Sequence, residues 1–432
     1  MMNYRPRIAD QLLADLLDAC GCVLIEGSKW CGKTTTAEKM ANSVVYMADP
    51  AEGERNKQLA KATPNYLLQG DTPRLIDEWQ VVPTLWDAIR GEVDHRRALG
   101  QFIITGSAVP PQRDEIVHTG TGRITTLLMR PMSLWESGDS TGAISIEKLF
   151  DQPEQLLADN SIDIEELAYL ICRGGWPMAT LTTNRKAALR QATIYYEGVV
   201  GKGNGENSDV SRVDGVKRDP ERVKRLMRSL SRHQGTQAPL KTIYQDIVAN
   251  DVDSLKEETI SAYITALKKI FCVEDMPAWN PCLRSKTAIR TSDTRYFVDP
   301  SIAVAAMRIG PKDLINDLET MGLLFEAMVV RDLRVYAEAL DGHIYHYRDK
   351  NNLECDAVLH LENGTYGLIE IKLGGDDAIN KGASTLQALA DKIDTTRMPK
   401  PSFLMVIVGV GKHAYRRQED GVYVVPIGCL KP

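Results

Sequence analysis

The residues Gly27-Ser28-Lys29-Trp30-Cys31-Gly32-Lys33-Thr34 have the composition and spacing of a phosphate-binding loop. They fit Gly-x-x-x-x-Gly-Lys-Ser/Thr, and their surroundings fit too. An apolar run at 22–26 precedes them and a helical pattern at 34–41 follows. Glycines let backbone N–H groups wrap phosphates, and the helix start adds the positive end of its dipole. Lys33 is expected to reach the β- and γ-phosphates of ATP, and Thr34 to ligate Mg²⁺. The expected ATP-binding set is Gly27, Ser28, Lys29, Trp30, Cys31, Gly32, Lys33, Thr34 and Thr35.

A matching acidic element follows about 40 residues later, at Leu75-Ile76-Asp77-Glu78. Apolar residues bury such a strand and leave Asp77 at its carboxyl end beside the metal. Glu78, next along, is placed to polarise the attacking water. Another apolar run, 102–105, ends in Thr105-Gly106-Ser107. Thr105 there either holds the water or γ-phosphate, or is a turn residue. Strands alternating with helices predict a parallel sheet, with an additional strand between the P-loop strand and the acidic strand. In ATPases of that arrangement a neighbouring subunit completes the site with an arginine. Arg123, in Thr119-Gly120-Thr121-Gly122-Arg123, is the candidate, with Arg130 in reserve; a structural arginine is the alternative for either.

A third constellation lies near the carboxyl terminus. Glu354-Cys355-Asp356 falls on a predicted strand, and Glu370-Ile371-Lys372 on the next. Side chains alternate along a strand, so Glu370 and Lys372 share a face. The order looks like the D…ExK core of PD-(D/E)xK nucleases, with Glu326 as an extra acid from the preceding helix. Glu326, Asp356 and Glu370 would bind Mg²⁺, and Lys372 would position water at a scissile phosphate. Cleavage and a role in binding or folding alone both remain open.

These residues need elements to hold them. The chain has 432 residues, 43% hydrophobic and 25% charged, enough for several cores and too balanced for disorder. Its net charge of -6 excludes a bulk-basic nucleic-acid binder. The charge is uneven, however: residues 211–300 alone are positive, at +4. A helix from about Pro220 would align Arg218, Arg222, Arg225 and Arg232, with Arg228 nearby. That stripe is either a solvated helix face or a row of phosphate contacts. Residues 240–275 suit a winged helix, with helices at 240–250 and 254–270, a cap at Ser254, and Lys268 and Lys269 near the recognition helix. Such modules bind DNA or protein; the regional charge favours DNA. Residues 145–200 read as mostly helical. The last third has helix at 313–340, strands near 343–348, 354–361, 366–372, 403–409 and 421–426, and a helix around 378–393. The eight scattered cysteines suggest reduced thiols rather than disulfides or a zinc ribbon. With no signal peptide or long apolar span, a cytoplasmic protein away from membranes is expected.

The chain resembles bacterial and archaeal AAA+ ATPases with an AAA_14-type amino-terminal domain and a DUF4143 carboxyl-terminal domain. The resemblance rests on Tyr4-Arg5-Pro6-Arg7, residues 27–35, Leu75-Ile76-Asp77-Glu78, Ile104-Thr105-Gly106-Ser107, Gly120-Thr121-Gly122-Arg123, Arg130-Pro131-Met132-Ser133, Gly174-Gly175-Trp176-Pro177 and Glu370-Ile371-Lys372. That family usually has Arg-Gln where this chain has Lys29-Trp30, at variable positions of the loop. The resemblance implies a multidomain α/β chain. Its parts would be an AAA+ P-loop core (1–140), a helical lid (141–205), a winged-helix-like DNA- or protein-binding region (206–300) and a restriction-endonuclease-like domain (301–432). The expected function is a ring-forming ATPase, with a hexamer as the expected ring, that remodels or translocates duplex or branched DNA such as Holliday junctions, in recombination or repair. Alternatives are an ATP-gated, Mg²⁺-dependent DNA nuclease, or a nucleotide-dependent switch that binds a protein partner.

Overall fold

Short runs of β-branched and aliphatic residues, separated by helices, form a five-stranded parallel sheet. Its strands lie in the order Ser43–Tyr46, Arg74–Asp77, Phe102–Gly106, Cys22–Glu26, Ile124–Leu128. The computed structural model describes residues 4–108, 119–151, 157–201, 208–248, 257–283 and 289–432. The sheet is covered on both faces, which is why its strands are almost wholly apolar. Leu24, Ile76 and Ile104 pack on one side with Trp79, Leu85 and Ile89. Val23, Ile25, Leu75 and Ile103 pack on the other with Leu13 and Ala37. Phe102–Gly106 separates the P-loop strand from the acidic strand, as the sequence predicted. Because all strands run parallel, the carboxyl ends of 22–26, 74–77 and 102–106 converge on one edge.

The segment after this sheet differs from the expected helical lid. Helices Ile164–Arg173, Pro177–Leu181 and Arg185–Val200 are present. Residues 144–145 and 158–159, however, attach to the far end of the chain. Ile144–Ser145 pairs in parallel with Leu430–Lys431, and Ala158–Asp159 pairs antiparallel with His413–Arg416. Two-residue strands carry no periodicity, so nothing in the sequence marked them.

Helices Pro220–Arg232, Leu240–Val248 and Glu257–Lys269 then lead into an antiparallel pair, Val273–Met276 with Thr294–Phe297. Three helices thus precede a two-stranded antiparallel pair. The proposed cap at Ser254 lies outside the described residues.

The carboxyl-terminal unit is a seven-stranded mixed sheet. Its order is Gly342–Arg348, Glu354–Leu361, Tyr366–Lys372, Phe403–Val408, Tyr423–Pro426, His413–Arg416 and Ala158–Asp159. The helix Leu318–Ala339 packs on the first strands, capped by Asp317, whose side chain accepts from the Thr320 amide. Asp376–Lys392 crosses between the parallel strands 366–372 and 403–408. The expected helix at 313–340 is broken at Asp317, and strand 413–416 was not anticipated. Among the described residues, no helix is long and apolar enough to cross a membrane. All eight cysteines are unpaired thiols.

Candidate functional sites

The loop at 27–32 turns sharply between strand and helix. Gly27 has φ 148°, and a Cβ there would lie 2.1 Å from the Met129 carbonyl oxygen, so only glycine fits. Lys33 is buried and donates to the carbonyls of Gly27 (2.9 Å) and Ser28 (2.8 Å). The ammonium thus lies inside the loop's concavity. The buried Ser28 hydroxyl has no hydrogen-bond partner within the protein. A cradle with a lone cation and an unmet hydroxyl fits the phosphates of a nucleotide. Thr35, next along the helix, is exposed.

Three side chains meet opposite the loop. Thr34 Oγ1 donates to Asp77 Oδ1 at 2.7 Å, and Thr105 Oγ1 donates to the same oxygen at 2.7 Å. Thr105 also accepts from the Glu78 amide at 3.1 Å. Its hydroxyl is therefore consumed in orienting the acidic pair, and it is fully buried rather than facing a water or phosphate. Glu78 has φ 58° and ψ 46°, the left-handed conformation that few residues adopt without cause. This turn swings the Glu78 carboxylate out of the strand line, where Ser107 Oγ donates to it at 3.1 Å and Gln80 Nε2 donates as well. Thr34 and Asp77 oxygens side by side fit a Mg²⁺ ion held next to the phosphates.

The support of the loop escaped the reading of site residues. Arg7 is buried, and its NH1 donates to the Cys31 carbonyl at 2.8 Å while NH2 donates to the Arg130 carbonyl at 2.8 Å. Its Nε donates to Glu136 Oε1 at 2.9 Å, and the other Glu136 oxygen accepts from the Ser133 amide at 2.8 Å. Arg7 and Ser133 both sit in segments that carry the resemblance, which was the signal available for them.

Arg123 and Arg130 have different fates. Arg123 lies just before strand Ile124–Leu128, at the sheet edge opposite the P-loop, and pairs with Asp94 at 2.7 Å. It is half-exposed and cannot reach its own chain's loop. Arg130, the reserve candidate, is buried between units. It pairs with Glu274 at 2.7 Å and Glu338 at 2.5 Å, and these two carboxylates hold its guanidinium charged despite its burial. That is a structural role, so Arg130 is withdrawn as a finger.

The basic block is largely neutralised from within. Arg218 is buried, precedes the helix, and is held by Asp214 at 2.7 Å and the Val210 carbonyl at 2.5 Å, so it is no phosphate contact. Lys268 pairs with Asp275, and Arg232 pairs with Asp246 at 2.7 Å. Lys269 is half-buried. Of the arginines on helix Pro220–Arg232, Arg228 is exposed, and Arg222 and Arg225 are half-buried on the face away from Val223, Leu226 and Leu230.

The carboxyl-terminal residues converge, but not as a metal cage. Lys372 Nζ lies 2.9 Å from Asp356 Oδ2 and 2.6 Å from Glu370 Oε2, filling the space between the two acids. Asp356 Oδ2 also accepts from the Ile371 amide at 2.7 Å. Glu326 accepts from the Tyr296 hydroxyl at 2.8 Å, across from the hairpin of the middle unit. Burial, and then the Asp356 charge, push both Glu326 and Glu370 up to about 8. Among the described residues no group of three or more His, Cys, Asp or Glu is arranged to hold a metal ion. The expected metal set Glu326, Asp356 and Glu370 does not fit a metal with the ammonium in place.

Residues 21–137 match the AAA_14 family, described as an AAA domain, and residues 321–430 match a domain of unknown function, DUF4143. Residues 164–313 match another domain of unknown function, DUF8612, a relationship that no motif in that stretch had signalled. The chain thus carries an AAA-type P-loop domain followed by a DUF4143 domain. No curated protein matches it. Among solved structures it is similar to the Walker-type ATPase paby2304 of Pyrococcus abyssi, at 14% identity and TM-score 0.41, over 71% of this chain and 99% of that one. It is also similar to the Orc1 protein of Aeropyrum pernix, solved in complex with DNA, at 11% identity and TM-score 0.23, over 74% of this chain and 95% of that one.

Proposed function

We propose that this chain hydrolyses ATP with Mg²⁺ and uses the turnover to rearrange DNA. The observation that carries the hydrolase reading is the shared oxygen of Asp77, which accepts from Thr34 of the P-loop helix and Thr105 of the neighbouring strand, both at 2.7 Å. Thr34 and Asp77 would hold Mg²⁺, which would supply charge neutralisation at the phosphates. Lys33 binds and orients the phosphates through its ammonium. Glu78, aimed by its left-handed backbone and by Ser107, takes the proton from the attacking water at its carboxylate. Thr105 fixes both acids so that neither must reorganise during the reaction.

The placement of Arg123 supports a ring in which it completes a neighbour's site, with a hexamer as the expected size. DNA as partner is supported by a winged-helix reading of the middle unit and by Arg222, Arg225 and Arg228 on one helix face. Duplex or branched DNA, including four-way junctions, is the proposed substrate. The test is the ATPase rate with single-stranded, duplex, forked and four-way DNA at two salt concentrations. Stimulation that weakens with salt supports the reading, because phosphate contacts are salt-sensitive. Hydrolysis indifferent to every DNA removes the DNA part.

The internal pairing of Arg218, Arg232 and Lys268 favours a second reading, a nucleotide-dependent switch that docks a protein through the middle unit. Mg²⁺-dependent DNA cleavage is the weakest reading, since Lys372 occupies the gap between Asp356 and Glu370.

A further inference from the structure

A cleft of about 300 Å³ opens beside the P-loop, bordered by Glu78, Ser107, Lys29, Asp209, Arg212 and Tyr195. Its floor is the catalytic edge of the sheet. Its far wall is the helix Arg185–Val200 and the short helical turn Asp209–Arg212 that leads toward the middle unit. One ion pair spans it: Lys29 Nζ lies 2.5 Å from Asp209 Oδ1. Lys29 belongs to the phosphate loop, and Asp209 to the opposite wall.

We infer that Lys29 is a γ-phosphate-reading cation, held by Asp209 before nucleotide binds and exchanged onto the terminal phosphate of a nucleoside triphosphate. This rests on the proposal that the P-loop binds ATP. Three features carry it. Lys29 borders the same cleft as Glu78 and Ser107, which is where a terminal phosphate and its attacking water must lie. Lys33 is already committed to the inner part of the loop, so Lys29 is a second, outer cation. The Lys29 side chain is 45% exposed, and ion pairs at that exposure are weak enough to change partner. A lysine on a flexible stem can make the swing that a planar guanidinium makes less freely.

The exchange has a mechanical consequence. The Asp209–Arg212 turn packs on helices Arg185–Val200 and Glu257–Lys269. It is also tied to the start of the middle unit, since Arg218 donates to the Val210 carbonyl and the Arg218 amide donates to Ser211 Oγ at 3.0 Å. Releasing Asp209 therefore loosens the wall that positions the middle unit, whereas ADP, without the third phosphate, leaves the pair closed.

The test is binding of ADP and of a non-hydrolysable ATP analogue to the full chain, for wild type, Lys29→Met, Asp209→Asn and Lys33→Ala. Lys29→Met is expected to weaken the analogue by ~10- to 100-fold and ADP by less than about 3-fold, the scale of one charge-assisted contact. Asp209→Asn, which frees Lys29, is expected to tighten the analogue a few-fold and leave ADP unchanged. Equal weakening of both nucleotides by Lys29→Met, or no weakening, overturns the inference while leaving the P-loop reading intact. Lys33→Ala must weaken both nucleotides. If wild type binds neither, the P-loop reading fails and the inference falls with it.

Discussion

Thr105 donates to Asp77 Oδ1 at 2.7 Å from the neighbouring strand, and the same hydroxyl accepts the Glu78 amide at 3.1 Å. One buried side chain thus orients both acids of the nucleotide site. Thr105→Val keeps the shape and removes the hydroxyl. It should lower kcat by about 10- to 100-fold, the cost of leaving these buried groups unmet. The affinity for ATP should change little, and Thr105→Ser should restore most of the rate. Steady-state kinetics with a separate binding measurement check this; a loss confined to KM contradicts it.

Arg7 joins the amino terminus to the P-loop through the Cys31 carbonyl, with Glu136 as its counter-ion. Both side chains are almost wholly buried, at 4% and 1% exposure. Arg7→Met strands the Glu136 charge and should cost about 3–5 kcal/mol of unfolding free energy. Adding Glu136→Leu should recover part of that loss. Thermal and denaturant unfolding of the single and double variants decide it, and an unchanged midpoint for Arg7→Met refutes the buttress.

The carboxyl-terminal cluster predicts a pH dependence. Glu326 and Glu370 are raised from 4.5 to about 8 in the folded chain. Both bind protons more tightly folded than unfolded. Their stabilising contribution is complete below the unfolded value and is lost as pH rises through about 8. Unfolding free energy should therefore fall as pH rises from 4.5 to about 8, the window those values bracket. Glu370→Gln, which cannot ionise, should fall less steeply, and an identical slope in the variant contradicts the assignment.

Arg123 lies at the end of its strand away from its own P-loop, so the proposed finger role would be exerted in trans. Arg123→Ala and Glu78→Gln chains should each be nearly inactive alone while still binding ATP. Mixed together they should regain hydrolysis, because some interfaces then join an intact Glu78 to an intact Arg123. Mixtures no more active than either parent count against the shared site.

Much of the ATPase site was legible because its chemistry is local. A glycine-rich turn between a strand and a helix, followed by an apolar run ending in Asp77-Glu78, fixes both the elements and their parallel order. Thr105 was legible as a polar residue at the strand end, but its bonds to the Asp77 carboxylate and the Glu78 amide were not, since they depend on the backbone turn at Glu78. Long-range contacts were not legible. Arg130 read as a reserve finger and Arg218 as part of a basic stripe because their partners, Glu274 and Glu338 for one and Asp214 with a backbone carbonyl for the other, are set by packing. The two-residue strands at 144–145 and 158–159 have no pattern of their own and exist only because distant edges accept them. Likewise, alternation placed Glu370 and Lys372 on one face, yet only the folded sheet shows the ammonium filling the space meant for a metal.

The proposed role of Glu78 is to activate water beside a P-loop that binds ATP independently of it. Single-turnover ATP hydrolysis by Glu78→Gln, measured with its ATP affinity, tests this most directly. Near-native binding and a rate reduced at least ~100-fold are expected, as for loss of a general base. A variant that binds ATP and hydrolyses it at the native rate would contradict it.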